Sequence, residues 1–259
     1  DPQADDLWGL FDTHGISAPA AWDAALDAED VVVAVIDTGV NTAHPDLAGR
    51  IWTNPDEIAD NGIDDDGNGY IDDINGWDFV EDDAVPNDPN GHGTHVSGTI
   101  AAVRNNETGI AGVADNARIM ALRFLNANGS GYISDALVAL EYAVDNNAPI
   151  SNNSWGGGGY SSAFSDMLDQ AASNGHVFVA AAGNSAQDID AYVSYPAGYS
   201  HPNILSVAAH GPTGVLPGSH YFNEMPEDIP VLPLASDTGV VIIAHYEIWH
   251  QATANLEDR

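Results

Sequence analysis

The chain has 259 residues, of which 39 are acidic against five arginines and no lysine, for a formal net charge of -34. A surface this acidic repels nucleic acid and anionic membranes, so neither is an expected partner. Cysteine is absent, which excludes a disulfide framework and a cysteine-ligated metal site.

In chain order, Val31 to Ile36 is an uninterrupted apolar run, as a strand buried on both faces should be. A helical run through Val103 follows Gly91-His92. Arg118 to Leu125, Pro149 to Trp155, His176 to Ala182 and Asn203 to Ala209 are further predicted strands. Between them Ile133, Leu137, Leu140 and Val144 recur at helical spacing, as do Phe164, Met167 or Leu168, and Ala171, with Asn174-Gly175 as a helix stop. Strands alternating with helices predict one α/β domain with a mostly parallel sheet and helices on both faces. From His210 onward the character changes to proline-rich sequence with a single strand candidate, Val240 to Ala244. The expected division is therefore 1–209 and a divergent tail, 210–259.

Two segments carry candidate chemistry. Asp37-Thr38-Gly39 places a carboxylate at the carboxyl end of a predicted parallel strand, where catalytic and ligand groups gather, although an aspartate there also serves as a cap or turn residue. Gly91-His92-Gly93-Thr94-His95-Val96 sets a histidine at the mouth of a helix, able to give one ring nitrogen to a carboxylate and the other to a nucleophile's proton. A metal pair or a structural role is the alternative for these histidines, but no Glu-bearing zinc motif surrounds them.

Together with Ser154-Trp155-Gly156-Gly157 and Ala181-Ala182-Gly183-Asn184-Ser185, in that order, these motifs resemble the subtilisin-like serine proteases over roughly residues 1–209. The resemblance implies a three-layer subtilisin-like fold and endopeptidase chemistry on a peptide or protein substrate. Asp37 would orient His92, His92 would act as general base, and Asn184 would donate to the oxyanion. Gly129-Ser130-Gly131 and Ser154-Trp155-Gly156 match the family segments that sandwich an extended peptide by strand addition. The family's nucleophile motif, Gly-Thr-Ser-Met-Ala, does not occur in the chain, and neither Ser219 nor Ser236 has its setting. Two explanations fit: a displaced reading frame from about His210, or divergence with loss of catalysis. The expected function is an endopeptidase domain inactive as given, with a non-catalytic calcium-dependent peptide-binding module as the alternative.

Calcium is the expected cofactor. In Asp64-Asp65-Asp66-Gly67-Asn68-Gly69-Tyr70-Ile71-Asp72 the ligands Asp64, Asp66, Asn68, Tyr70 and Asp72 follow the first half of an EF-hand loop, although Asn75 replaces the closing glutamate. A solvated acidic loop, suited to high salt, is the other reading. Family resemblance suggests a second site from Asp1, Asp46 and Asn106, with Arg104, Thr108 and Ile110 supplying carbonyls. No apolar run approaches the ~18 residues that span a bilayer. The start at Asp1-Pro2 fits a secreted, mature form after removal of a signal and pro-segment, and a monomer is expected.

Overall fold

The computed structural model describes residues 1–3, 7–11, 15–24, 31–114, 116–184 and 189–209. The predicted strand Val240 to Ala244, with Ser219, Ser236 and the rest of 210–259, lies outside the described residues. Two short helices, α1 (Trp8–Phe11) and α2 (Ala18–Asp23), come first. Then follow β1 (Val32–Asp37), a 3-10 turn at Pro45–Leu47, β2 (Gly76–Asp78), α3 (His92–Ala101) and β3 (Arg118–Arg123). The remainder is α4 (Ile133–Asp145), β4 (Ile150–Asn153), α5 (Ser162–Ser173), β5 (Val177–Ala181) and β6 (Ile204–Val207).

The six strands form one sheet in the order β2-β3-β1-β4-β5-β6, and every pairing is parallel. Because side chains alternate along a strand, β1 feeds two cores. Ala34 and Ile36 pack with Met120, Leu122, Leu140, Phe164 and Phe178 on the α4/α5 side. Val33 and Val35 pack with Ile119, Ala121, Ile100 and Val179 on the α3 side. Helices therefore cover both faces, giving the three-layer α/β architecture. Each fully buried valine, leucine, isoleucine, phenylalanine or methionine among them contributes roughly 1.5–3 kcal/mol.

The strands end earlier than the apolar runs, for local reasons. Phe124 and Leu125 N–H turn to the Asp37 carbonyl at 3.0 and 3.1 Å, which takes them out of the β3 ladder. Ser154 to Gly156 likewise leave β4 to line a cleft. Helix α5 starts where Ser161 Oγ accepts from Phe164 N–H at 3.3 Å and stops at Gly175, whose φ of +75° suits a residue without Cβ. The three-residue strand β2 was not foreseen, being too short to show any periodicity.

His176, 2% exposed at the head of β5, donates Nδ1–H to the Ala148 carbonyl at 2.7 Å and accepts at Nε2 from the Ser151 hydroxyl at 2.8 Å. Burial lowers its pKa below 6.5, with the Ala148 bond opposing. The unfolded chain takes up the proton first, so the stability contributed by neutral His176 is complete above 6.5 and is lost as pH falls toward the lower folded value. Urea unfolding at about pH 7.5 and about pH 5.5 should show a smaller drop in midpoint for His176→Gln than for the unaltered chain.

Candidate active site

The topology brings the candidate residues to one edge. β1 has neighbours reached in opposite directions, β3 on one side and β4 on the other, and Asp37 ends it at this switch point. Asp37 is fully buried, and its Oδ1 accepts from Thr38 N–H at 2.7 Å and from His92 Nδ1 at 2.7 Å. With Nδ1–H donated to the carboxylate, the other ring nitrogen, Nε2, is left as the proton-accepting position.

The close approach of α3 to β1 requires a glycine. A Cβ on Gly93 would stand 2.1 Å from the Gly39 carbonyl oxygen and 3.2 Å from the Asp37 Cβ. Asp88 organises the start of the helix: its Oδ1 accepts from Gly91 N–H at 2.8 Å and Thr38 Oγ1 at 2.8 Å, and its Oδ2 from Thr94 N–H at 2.9 Å. Thr38 Oγ1 in turn accepts from Gly93 N–H at 2.9 Å. Neither Asp88 nor Thr38 was singled out in the sequence; the signal was an aspartate just ahead of a helix, where a negative charge favours exposed N–H groups.

The His92 side chain is one third exposed, and its pKa is raised above 6.5. The hydrogen bond to Asp37 is the largest cause, burial opposes it, and the charges of Asp37 and Asp88 reinforce it. The imidazole is thus free to accept a proton only above this raised value. Replacing Asp37 by Asn removes the dominant cause and leaves burial, so the His92 titration followed by NMR should move down in pH.

His92 and Thr38 open onto a cleft of about 440 Å³, lined on one side by Gly129, Ser130 and Gly131 and on the other by Ser154, Trp155 and Gly156. All six predicted substrate-binding residues therefore share one cavity with the histidine. The first wall is a turn held by Asn126 N–H to the Ser130 carbonyl at 2.9 Å, and Asn90 Nδ2 ties it to the histidine loop through the Ala127 carbonyl at 2.9 Å. The second rests on Trp155, whose ring meets Phe124 edge-on at 4.9 Å. Asn184 lies three residues beyond β5, on the same carboxyl edge as Asp37 and exposed; residues 185–188 after it are outside the described set.

The candidate calcium ligands fall into two groups. Around the 104–110 loop, Asp1 accepts from Asn105 and Asn106 N–H at 2.9 and 3.0 Å, and Asp46 from Asn106 Nδ2 at 2.8 Å and Ile110 N–H at 2.9 Å. Asn106 Oδ1 also accepts from Thr108 N–H at 2.8 Å, while the Arg104 guanidinium stacks 4.3 Å over Trp22. In the acidic loop Asp64 accepts from Gly67, Asn68 and Gly69 N–H, Asn68 Oδ1 from Tyr70 N–H, and Asp72 from Asn61 and Gly62 N–H. Asp66 stands with Glu57 and Asp73, a grouping the sequence reading did not include. Among the described residues no helix is long and apolar enough to cross a membrane.

A sequence model of the subtilase family matches residues 28–229, beginning after the first two helices and running past Ala209. Thermitase of Thermoactinomyces vulgaris is 39% identical over 194 residues, covering 75% of this chain and 60% of the relative. Subtilisin Savinase of Lederbergia lenta is 37% identical over 202 residues, covering 78% and 62%. A solved structure, a cold adapted subtilisin-like serine proteinase, superposes with a TM-score of 0.55 at 34% identity, over 72% of this chain and 57% of that one. The chain thus spans less than two thirds of the length of these relatives. With the family match over most of its length and the strand, helix and cleft geometry above, the chain belongs to the subtilase family.

Proposed function

We propose that this chain is a secreted, calcium-stabilised serine endopeptidase domain that holds an extended peptide, and that, carrying no nucleophile motif, it binds that peptide without cleaving it. The observation that carries the reading is the 2.7 Å contact of Asp37 with His92 Nδ1 at the mouth of the cleft. In such a site a serine attacks the scissile carbonyl while the imidazole takes its proton; the carboxylate stabilises the resulting imidazolium, and an asparagine amide receives the charge developing on oxygen. Asp37, His92 and Asn184 are assigned these three supporting roles. Gly129 to Gly131 and Ser154 to Gly156 are assigned to the peptide backbone, a mode of recognition that tolerates many sequences. Calcium is assigned to the acidic loop and to the Asp1, Asp46 and 104–110 group, because oxygen-rich loops on an anionic surface suit a hard cation.

A second reading, a calcium-dependent peptide-binding module with no catalytic role, is favoured by the same cleft combined with the absent motif. Both readings require peptide binding, which Gly156 makes testable. A Cβ there would meet nothing closer than the Tyr195 carbonyl at 3.6 Å, so Gly156→Val fills the cleft without disturbing the backbone. Fluorescence polarisation with a labelled extended peptide should show binding weakened about tenfold or more in this variant. Equal binding by the two proteins would remove the cleft from the account. Supplying the missing nucleophile motif separates the two readings, since the first predicts that peptide hydrolysis then appears and the second that it does not.

A further inference from the structure

Three charged residues lie abreast at the carboxyl edge of the sheet. Arg123 ends β3, and its register partners are Asp37 on β1 and Asp78 on β2. Registered neighbours in a parallel sheet project to the same face, and Val35 with Ala121, two residues earlier, fixes that face as the α3 side, where His92 stands. The one cation of the row is thus set between two carboxylates.

It is held by Asp78. Arg123 Nη1 donates to Asp78 Oδ2 at 2.5 Å, its Nη2 lies 4.0 Å from Glu81 Oε1, and its Nε donates to the Leu125 carbonyl at 3.4 Å. Asp37 Oδ1 meanwhile accepts from Thr38 N–H and His92 Nδ1, and its Oδ2 is buried with no hydrogen-bond partner. An open carboxylate oxygen next to a guanidinium with five donors would draw that group in, unless it were fixed elsewhere.

Asp78 is rigid enough to fix it. It is 1% exposed, its Oδ1 accepts from Val80 and Glu81 N–H at 2.8 and 3.1 Å, and its backbone pairs with Asp83 in both directions, at 2.9 and 3.2 Å. Arg123 is itself buried, so a guanidinium deprived of Asp78 would need another carboxylate.

We propose that Asp78 is a positioning residue for the catalytic pair: by holding the Arg123 guanidinium on the β2 side, it leaves the Asp37 carboxylate to His92. Released, Arg123 would compete for Asp37, and its charge would act against a proton on the imidazole. The charged groups that act on His92 are Asp37 from β1 and Asp88 from the turn before α3, both anionic. Asp78 does not act on it directly, so the loss of its charge reaches His92 through Arg123.

The inference rests on the assignment of Asp37 and His92 as the catalytic pair, and its test needs neither peptide nor turnover. The His92 ring proton is followed by NMR across pH in the whole purified chain, its signal assigned by loss in His92→Ala. In Asp78→Asn the titration should move down by at least about 0.5 pH unit. In Arg123→Gln, where the cation is gone, it should stay or move up, and the double variant should titrate as the parent does. A merely structural ion pair would behave otherwise, since loss of either partner would loosen the same strand edge and move His92 in the same direction. Equal downward movement in both single variants, or an unmoved titration in Asp78→Asn, would overturn the assignment. Should Asp78→Asn fail to fold by circular dichroism, Arg123→Gln decides, and a downward movement there overturns it as well. Asp37→Asn separates the two levels of the argument. If it leaves His92 unmoved, the catalytic-pair reading falls and this inference with it; if it lowers the titration while Asp78→Asn does not, this inference falls alone.

Discussion

The purified 259-residue chain should show no measurable hydrolysis of casein or a peptide anilide above background, and no covalent adduct with a fluorophosphonate probe. His92 is oriented by Asp37 at 2.7 Å and its other nitrogen is available, but a general base accelerates nothing without a hydroxyl placed beside it. In a triad protease, loss of the serine costs about a millionfold in turnover, and what persists comes from binding and the oxyanion donors. Ser154 also lines the cleft, yet its Oγ accepts from Asn152 Nδ2 at 2.9 Å and it lies in the segment assigned to the substrate backbone. An adduct that forms on the unaltered chain and disappears in His92→Ala would mean that a serine dismissed here, Ser219 or Ser236, is the nucleophile.

Removal of calcium should lower the melting temperature by about 10 °C. A cation that binds only the folded chain at about a thousand times its dissociation constant stabilises it by about 4 kcal/mol, and a domain of this size shifts by about 2–4 °C per kcal/mol. The physical cause is a folded state that brings like charges together: with no cation between them, Glu57, Asp66 and Asp73 repel one another. Scanning calorimetry in calcium and in chelator measures the shift, and Asp73→Asn should reproduce part of it. Coincident melting curves would leave the acidic loop as solvated surface.

How much of this was legible in the sequence differs from feature to feature. Asp37 and His92 could be placed because each sits at the junction of a strongly patterned element: a buried run ends at one, and a helix opens at the other. The cleft residues were legible for a similar reason, since Ser154 to Gly156 follow directly on β4. Positioning groups were harder to see. Asp88 accepts four local hydrogen bonds from Asn90, Gly91 and Thr94, but the fifth, which joins α3 to the catalytic strand, comes from Thr38, 50 residues away in sequence. In the acidic loop, spacing alone favoured Asp64 and Asp72. Glu57 and Asp73 join Asp66 through folding of the whole 54–75 segment, which no short motif encodes.

The central claim is that residues up to Ala209 hold every catalytic part except the nucleophile. Its most direct test replaces 210–259 with a segment carrying Gly-Thr-Ser-Met-Ala at the head of a helix and measures peptide-anilide hydrolysis in calcium, folding being verified by circular dichroism. The account predicts that turnover rises from background by at least about a thousandfold and is abolished by His92→Ala. A folded chimera that stays inactive, or whose activity survives His92→Ala, would contradict it.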